Sequence, residues 1–158
     1  MTTAEKPIIA ITMGDPCGIG PEVIAKTLAS DQVYPTCRPV VVGNVWAMEQ
    51  AVNLTGATLK VNEVDSPTEA GNVPGTVDVI DPHNLNPEDI TVGHLSTACG
   101  KACMEWVSKA GELAMAGKVD AIATAPVNKE AASMAGYKSI GHMELLQEMT
   151  RAKDVATM

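Results

Sequence analysis

Three short segments hold the residues whose types and spacing could do chemistry. The first is residues 14–22, GDPCGIGPE. A tight glycine turn feeds a helix opened by Pro21 and Glu22, so backbone N–H groups gather at a helix N-terminus. Such a turn can receive an anion, and it reads equally as a plain strand-to-helix connection. Asp15 is a polar contact in a site or an ordinary turn residue. The segment carries neither GxxxxGK[ST] nor GxGxxG. The second is residues 124–130, TAPVNKE, where a strand end delivers Asn128 and Lys129. The Lys129 ammonium could pair with a carboxylate or phosphate, or move a proton with a lowered pKa; alone it also reads as a solvated surface lysine. The third is residues 141–146, GHMELL. His142 follows a glycine, and its imidazole could donate a hydrogen bond to a substrate oxyanion. Glu144 can serve simply as a dipole partner at a helix start. His83 and His94 fall in polar connections and read as surface residues. No HExxH or other close ligand spacing is present, so the residues themselves support no metal site.

These segments need elements to position them. Residues 7–13 (PIIAITM), 39–43 (PVVVG), 58–61, 76–80 and 121–125 read as strands, the first, second and last of them buried. Helices are expected over about 21–29, 45–54 with Asn44 as cap, 97–116 with Ser96 as cap and Gly117 as stop, and a short 130–135. His142 is expected in a loop ahead of a helix over about 144–150, and residues 155–158 read as the opening of another strand. Residues 65–74 and 81–87 read as loops. Alternating strands and helices argue an α/β fold with a largely parallel sheet flanked by helices. Ligands of such sheets gather at the carboxyl ends of the strands, where loops 14–20 and 126–129 belong.

Composition narrows the function classes. The 158 residues suffice for a domain with a real core, and 46% are hydrophobic. Phe is absent and only two Trp and two Tyr occur, so the core is aliphatic. The formal net charge is −8 and no basic run appears, which argues against a nucleic-acid partner. An anionic substrate would have to be held by local groups against the bulk field. The four cysteines, Cys17, Cys37, Cys99 and Cys103, form no CxxC pair; they read as small core hydrophobes, and Cys99 and Cys103 share one helix face. No secretory start and no membrane-length apolar run is visible, so no membrane partner and a reduced cytoplasmic location are expected.

Taken in order, ITMGDPCGIGPE, DAIATAPVNKEAASMAG and GHMELL closely resemble the 4-hydroxythreonine-4-phosphate dehydrogenase family, whose pattern is GDPxGIGPE, then AP[VIL]NKE, then GHTE. The resemblance runs from about Ile8 to Met158. It implies two α/β domains around a cleft, of the isocitrate and isopropylmalate dehydrogenase kind, in a homodimer whose two subunits both build the active site. It implies NAD and a divalent metal (zinc, magnesium or cobalt) as cofactors. The implied reaction oxidises a hydroxyl of a 4-phosphorylated hydroxy acid, such as 4-phosphohydroxythreonine or a threonate or erythronate 4-phosphate. Loss of CO2 from the keto acid follows, the metal stabilising the enolate charge. By position, His142 matches the substrate-contacting His of GHTE. Met143 stands where the family has a Thr that also contacts substrate, and Met has no hydroxyl to donate. Asn128 and Lys129 match the second motif, with Lys129 the candidate for proton transfer. Asp15 and Gly18 match the first loop.

In the family the metal-binding histidines lie downstream of GHTE, so no metal ligand is expected in this chain. The chain is therefore expected to be the N-terminal part of such an enzyme, with residues 1–125 a first domain and 126–158 the start of a second. Two other readings stand beside it: a truncated or stand-alone phosphate-binding module without catalysis, and an acyl or phosphoryl transferase on a related fold.

Overall fold

The computed structural model describes residues 5–138 and 141–156. Its elements run β1 (Ile8–Thr12), α1 (Gly20–Leu28), β2 (Arg38–Val42), α2 (Val45–Thr55), β3 (Lys60–Glu63), β4 (Thr76–Ile80), α3 (Thr97–Met115), β5 (Ala121–Thr124), α4 (Lys129–Met134) and α5 (His142–Thr150). Single 3-10 turns at Pro67–Glu69 and Pro87–Asp89 break the two loops on either side of β4. The five strands form one sheet in the order β3-β4-β2-β1-β5, and every pairing is parallel. This is the α/β architecture that the alternation predicts.

The order contains a reversal. From β1 the chain moves outward through β2 to β3 and β4, then returns through α3 to β5 on the far side of β1. Right-handed crossovers in opposite directions put their helices on opposite faces. Accordingly α1 packs on α2, whereas α3 packs on β1, β2 and β5 and carries α4 and α5 on its outer side. The carboxyl ends of β1 and β5 therefore flank the switch point, where the outgoing chains part to opposite faces and leave a crevice.

The core is aliphatic, as the composition requires. Val40, Val41 and Val42 of the central strand β2 have no exposure at all, as expected of a strand covered on both faces. Each such side chain contributes about 1.5–3 kcal/mol on burial. On the other face Trp106 is fully buried from α3, and its indole N–H donates to Asn84 Oδ1 at 3.0 Å, so the ring's polar edge is satisfied. Caps fall where the sequence places them: Asn44 accepts from Ala47 N, and Ser96 from Cys99 N.

Three expectations need correction. Strand 121–125 is buried only at Ala125: all four residues of β5 are exposed or half-buried, because β5 is the edge of the sheet. Its apolar run was indistinguishable from that of a covered strand. His142 is not in a loop but is the first residue of α5, with Gly141 at the cap position in extended geometry. Residues 155 and 156 form no strand; residues 157 and 158 of that expected strand lie outside the described residues. A smaller difference is β3, which begins two residues later than the pattern suggests.

One glycine controls how α4 reaches the body. A Cβ on Gly100 would collide with the backbone of Ala131, so α3 and α4 touch backbone to backbone there. Gly100→Ala is predicted to cost about 1–3 kcal/mol in chemical denaturation, the usual range for overpacking. An unchanged midpoint would show that α4 does not sit against α3.

Candidate functional site

The two strand ends at the switch point are joined directly. The Asp15 N–H donates to the Pro126 carbonyl at 2.9 Å, and the Ala125 N–H to the Thr12 carbonyl at 3.0 Å. The approach depends on Gly14. Its φ is +73°, and a Cβ would overlap Pro126 O, so this turn and this contact both demand glycine. Loops 14–20 and 126–129, more than a hundred residues apart in sequence, thus form one surface.

Asp15 sits at its centre, buried. Its Oδ1 accepts from the Cys17 N–H at 2.9 Å, and Asn128 also hydrogen-bonds its carboxylate. Burial holds the Asp15 carboxyl above its ordinary range, against the opposite pull of those two donors. Asn128 works in two directions. Its side-chain carbonyl accepts from Glu130 N and Ala131 N, both at 3.1 Å, which caps α4; its amide is what remains for Asp15. Asn128 therefore ties the second motif to the first. Lys129, the first residue of α4, lines the same shallow cleft of about 510 Å³ with Asp15, Gly18 and Ile19. Gly18 is half-buried there, and a Cβ on it would meet only ordinary contacts, the nearest at 3.5 Å. Across the loop, Gly18 also borders a smaller apolar groove of about 250 Å³ walled by Trp46, Leu54, Ile90 and Val92. The first depression holds Asp15, Lys129 and Glu130, whereas Glu22 is the titratable residue of the apolar groove.

α5 brings the third motif to this end. Burial lowers the His142 pKa below its ordinary 6.5; a hydrogen bond with the Ala125 backbone and the nearby Glu144 oppose the shift, and Lys129 adds to it. Lys129 and His142 are thus close enough to sense each other. His142 Nε2 is buried and has no hydrogen-bond partner among the described residues. The bond with Ala125 is therefore made by Nδ1, donating to the carbonyl. The neutral ring then carries its proton on Nδ1 and leaves Nε2 as an acceptor. Met143 follows on the exposed side, 37% accessible.

The six predicted residues Asp15, Gly18, Asn128, Lys129, His142 and Met143 all fall at this one end of the molecule. Sequence reasoning missed the parts made of backbone. The Ala125 and Pro126 carbonyls, which orient His142 and fix Asp15, leave no trace in side-chain type. His83, read as a plain surface residue, is exposed but contacts Glu63 at 2.9 Å; His94 is exposed as expected. Among the described residues no three His, Cys, Asp or Glu side chains converge as metal ligands would, and none of their helices is long and apolar enough to cross a membrane.

Known proteins resemble this chain in sequence and fold. The family model described as "Pyridoxal phosphate biosynthetic protein PdxA" matches residues 35–158. A D-threonate 4-phosphate dehydrogenase of Cupriavidus necator is 45% identical over 152 residues, 96% of this chain and 45% of that protein. A 4-hydroxythreonine-4-phosphate dehydrogenase of Desulforapulum autotrophicum is 40% identical over 99% of this chain and 46% of its own length. A crystal structure of a 4-hydroxythreonine-4-phosphate dehydrogenase from Burkholderia phymatum superposes with a TM-score of 0.90 at 42% identity, covering 94% of this chain and 45% of that one. The chain thus spans just under half the length of the relatives it matches.

The His142–Lys129 relation is directly measurable. NMR titration of the imidazole should give a midpoint below 6.5, and Lys129→Gln should raise it. Because the unfolded chain takes the proton first as pH falls, His142 stabilises the fold above about pH 6.5, and that contribution is lost as pH drops toward its folded value. A midpoint unmoved by Lys129→Gln would separate the two residues.

Proposed function

Because the chain belongs to the PdxA family, we propose that it is the N-terminal portion of an NAD-dependent dehydrogenase acting on a 4-phosphorylated hydroxy acid. Candidate substrates are 4-phosphohydroxythreonine and a threonate or erythronate 4-phosphate. The reading includes a homodimer, a first domain ending near residue 125 and a second beginning in 126–158. The observation that supports it most is convergence: three motifs spread over more than 120 residues meet at the carboxyl ends of β1 and β5 through the Asp15–Pro126, Asn128–Asp15 and His142–Ala125 hydrogen bonds.

The chain's own residues divide the work by their chemistry. His142 Nε2, an acceptor in the neutral ring, suits a substrate hydroxyl, which has a proton to give; a phosphate dianion has none. Lys129 is the mobile cation of the cleft and suits the phosphate or carboxylate, or the proton leaving the hydroxyl. Gly18 leaves loop 14–20 without a side chain where a ligand would lie against it. Asp15 is buried and committed to Cys17 and Asn128, so it holds the loop and the second motif in register, a positioning role beside its assignment as a substrate contact. NAD would accept the hydride. The described residues do not gather a metal-ligand set, and the resemblance puts the ligands of its divalent ion downstream of GHMELL.

Tests belong in the protein at its natural length. His142→Ala should lower kcat/KM about 10- to 100-fold with the fold intact, the loss of one hydrogen bond to a reacting group; unchanged kinetics would remove His142 from the site. Gly18→Ala should alter stability by less than about 0.5 kcal/mol, since its Cβ meets no obstacle, yet raise KM for the phosphorylated substrate. Met143→Thr should preserve or improve turnover of 4-phosphohydroxythreonine, and a loss would mean that Met143 serves a different substrate.

A further inference from the structure

Cys17 and Cys99 were both read as core hydrophobes, and both are buried, at 2% and 0% exposure. Packing alone does not account for how they meet. Their sulfurs approach to 3.2 Å, with the Cys17 thiol donating to Cys99 Sγ, across 82 residues of sequence. A disulfide needs about 2.05 Å, so closing the pair takes a movement of roughly 1 Å. The surroundings hold each thiol in place. The Cys17 N–H donates to Asp15 Oδ1 at 2.9 Å, and its carbonyl accepts from Gly93 N at 2.7 Å. Cys99 is in the first turn of α3, its N–H capped by Ser96 and its thiol donating to the Asp89 carbonyl at 3.4 Å. Cys103, one helical turn further along, is buried too.

We infer that Cys17 and Cys99 form a reversible disulfide that ties loop 14–20 to the first turn of α3. The oxidant is a small peroxide. The Cys17 sulfur attacks one peroxide oxygen; the O–O bond breaks, one water leaves, and Cys17 becomes a sulfenic acid. The Cys99 sulfur then attacks that sulfur, and the sulfenic hydroxyl departs with the Cys99 proton as a second water. Two thiols have lost two electrons, and hydrogen peroxide has been reduced to two waters. A dithiol reductant reverses the step. The bridge immobilises the loop that carries Asp15 and Gly18 and anchors it through Cys99 to the helix that supports α4 and α5. The inference rests on the sulfur geometry and not on the proposed reaction.

The test is a non-reducing peptide map of the natural-length protein after hydrogen peroxide and alkylation of residual thiols. Trypsin cuts after Lys101 and so separates Cys99 from Cys103. The expected product is the Cys17 peptide joined to the Cys99 peptide, two hydrogens lighter than the pair. It should be absent before oxidation, dominant after it and abolished by dithiothreitol, while Cys37 and Cys103 carry the alkyl label. Cys99→Ser should leave Cys17 as a sulfenic acid that dimedone traps. Alkyl label on both Cys17 and Cys99 after peroxide, or a bridge from Cys17 to Cys103, would overturn the inference. The map of the parent protein decides the matter even where a variant fails to fold.

Discussion

The approach of two loops across the β1–β5 boundary is the constraint from which the rest of this end of the molecule follows. One backbone hydrogen bond, from Asp15 N–H to the Pro126 carbonyl, closes it, and one glycine with a left-handed φ permits it. Once the loops touch, Asp15 must be buried beneath them, and its carboxylate needs donors at once because an unpaired buried charge is costly. The Cys17 N–H and the Asn128 amide supply them. Asn128 can do so only because its carbonyl is simultaneously capping α4, so the position of α4, and of Lys129 at its start, is set by the same contact. Gly100 completes the chain of dependence by letting α4 lie directly on α3.

Electrostatics at this end are arranged against the bulk of the protein. The chain carries a net charge of −8, a field that repels an anionic ligand. Burial lessens the opposition locally in two ways: it favours the neutral carboxyl at Asp15 and the neutral imidazole at His142. The first makes the Asp15 carboxyl easier to protonate than a free one; the second leaves Lys129 as the positive group whose influence is felt at His142. A phosphorylated ligand would then meet one cation, Lys129, in a cleft that Asp15 and Glu130 also line. Under the proposed function, selectivity for a hydroxyl at His142 would come from a different source, the Ala125 carbonyl bonded to the ring.

Much of this was legible in the sequence, for identifiable reasons. Strand β4 and the caps Asn44 and Ser96 were readable because a periodic apolar run and a short polar side chain at a helix start are local signals. The motif residues were readable because glycine, proline, histidine and lysine at strand ends are distinctive types. What was hidden is what has no side chain or depends on a distant partner. The tautomer of His142 is decided by the carbonyl of Ala125, and its helical position by Gly141 taking an extended cap geometry. The meeting of Cys17 with Cys99 is decided by how α3 crosses β1. Each residue taken alone gave only the answer "small and buried".

The misreading of β5 shows where pattern loses its power. AIAT and PVVVG look alike as apolar runs, yet Val40 to Val42 are fully buried while Ala121, Ala123 and Thr124 are exposed. The difference lies in side-chain size. Burial scales with apolar area, so three valines lose a large stabilisation if uncovered, whereas two alanines and a threonine lose little. A strand of small residues tolerates the edge of a sheet at low cost and fits equally well beneath a neighbour. Sequence therefore fixes the position of β2 by energy, and that of β5 only by connection. The crossover through α3 must come down beside β1, and the contact between Gly14 and Pro126 holds it there.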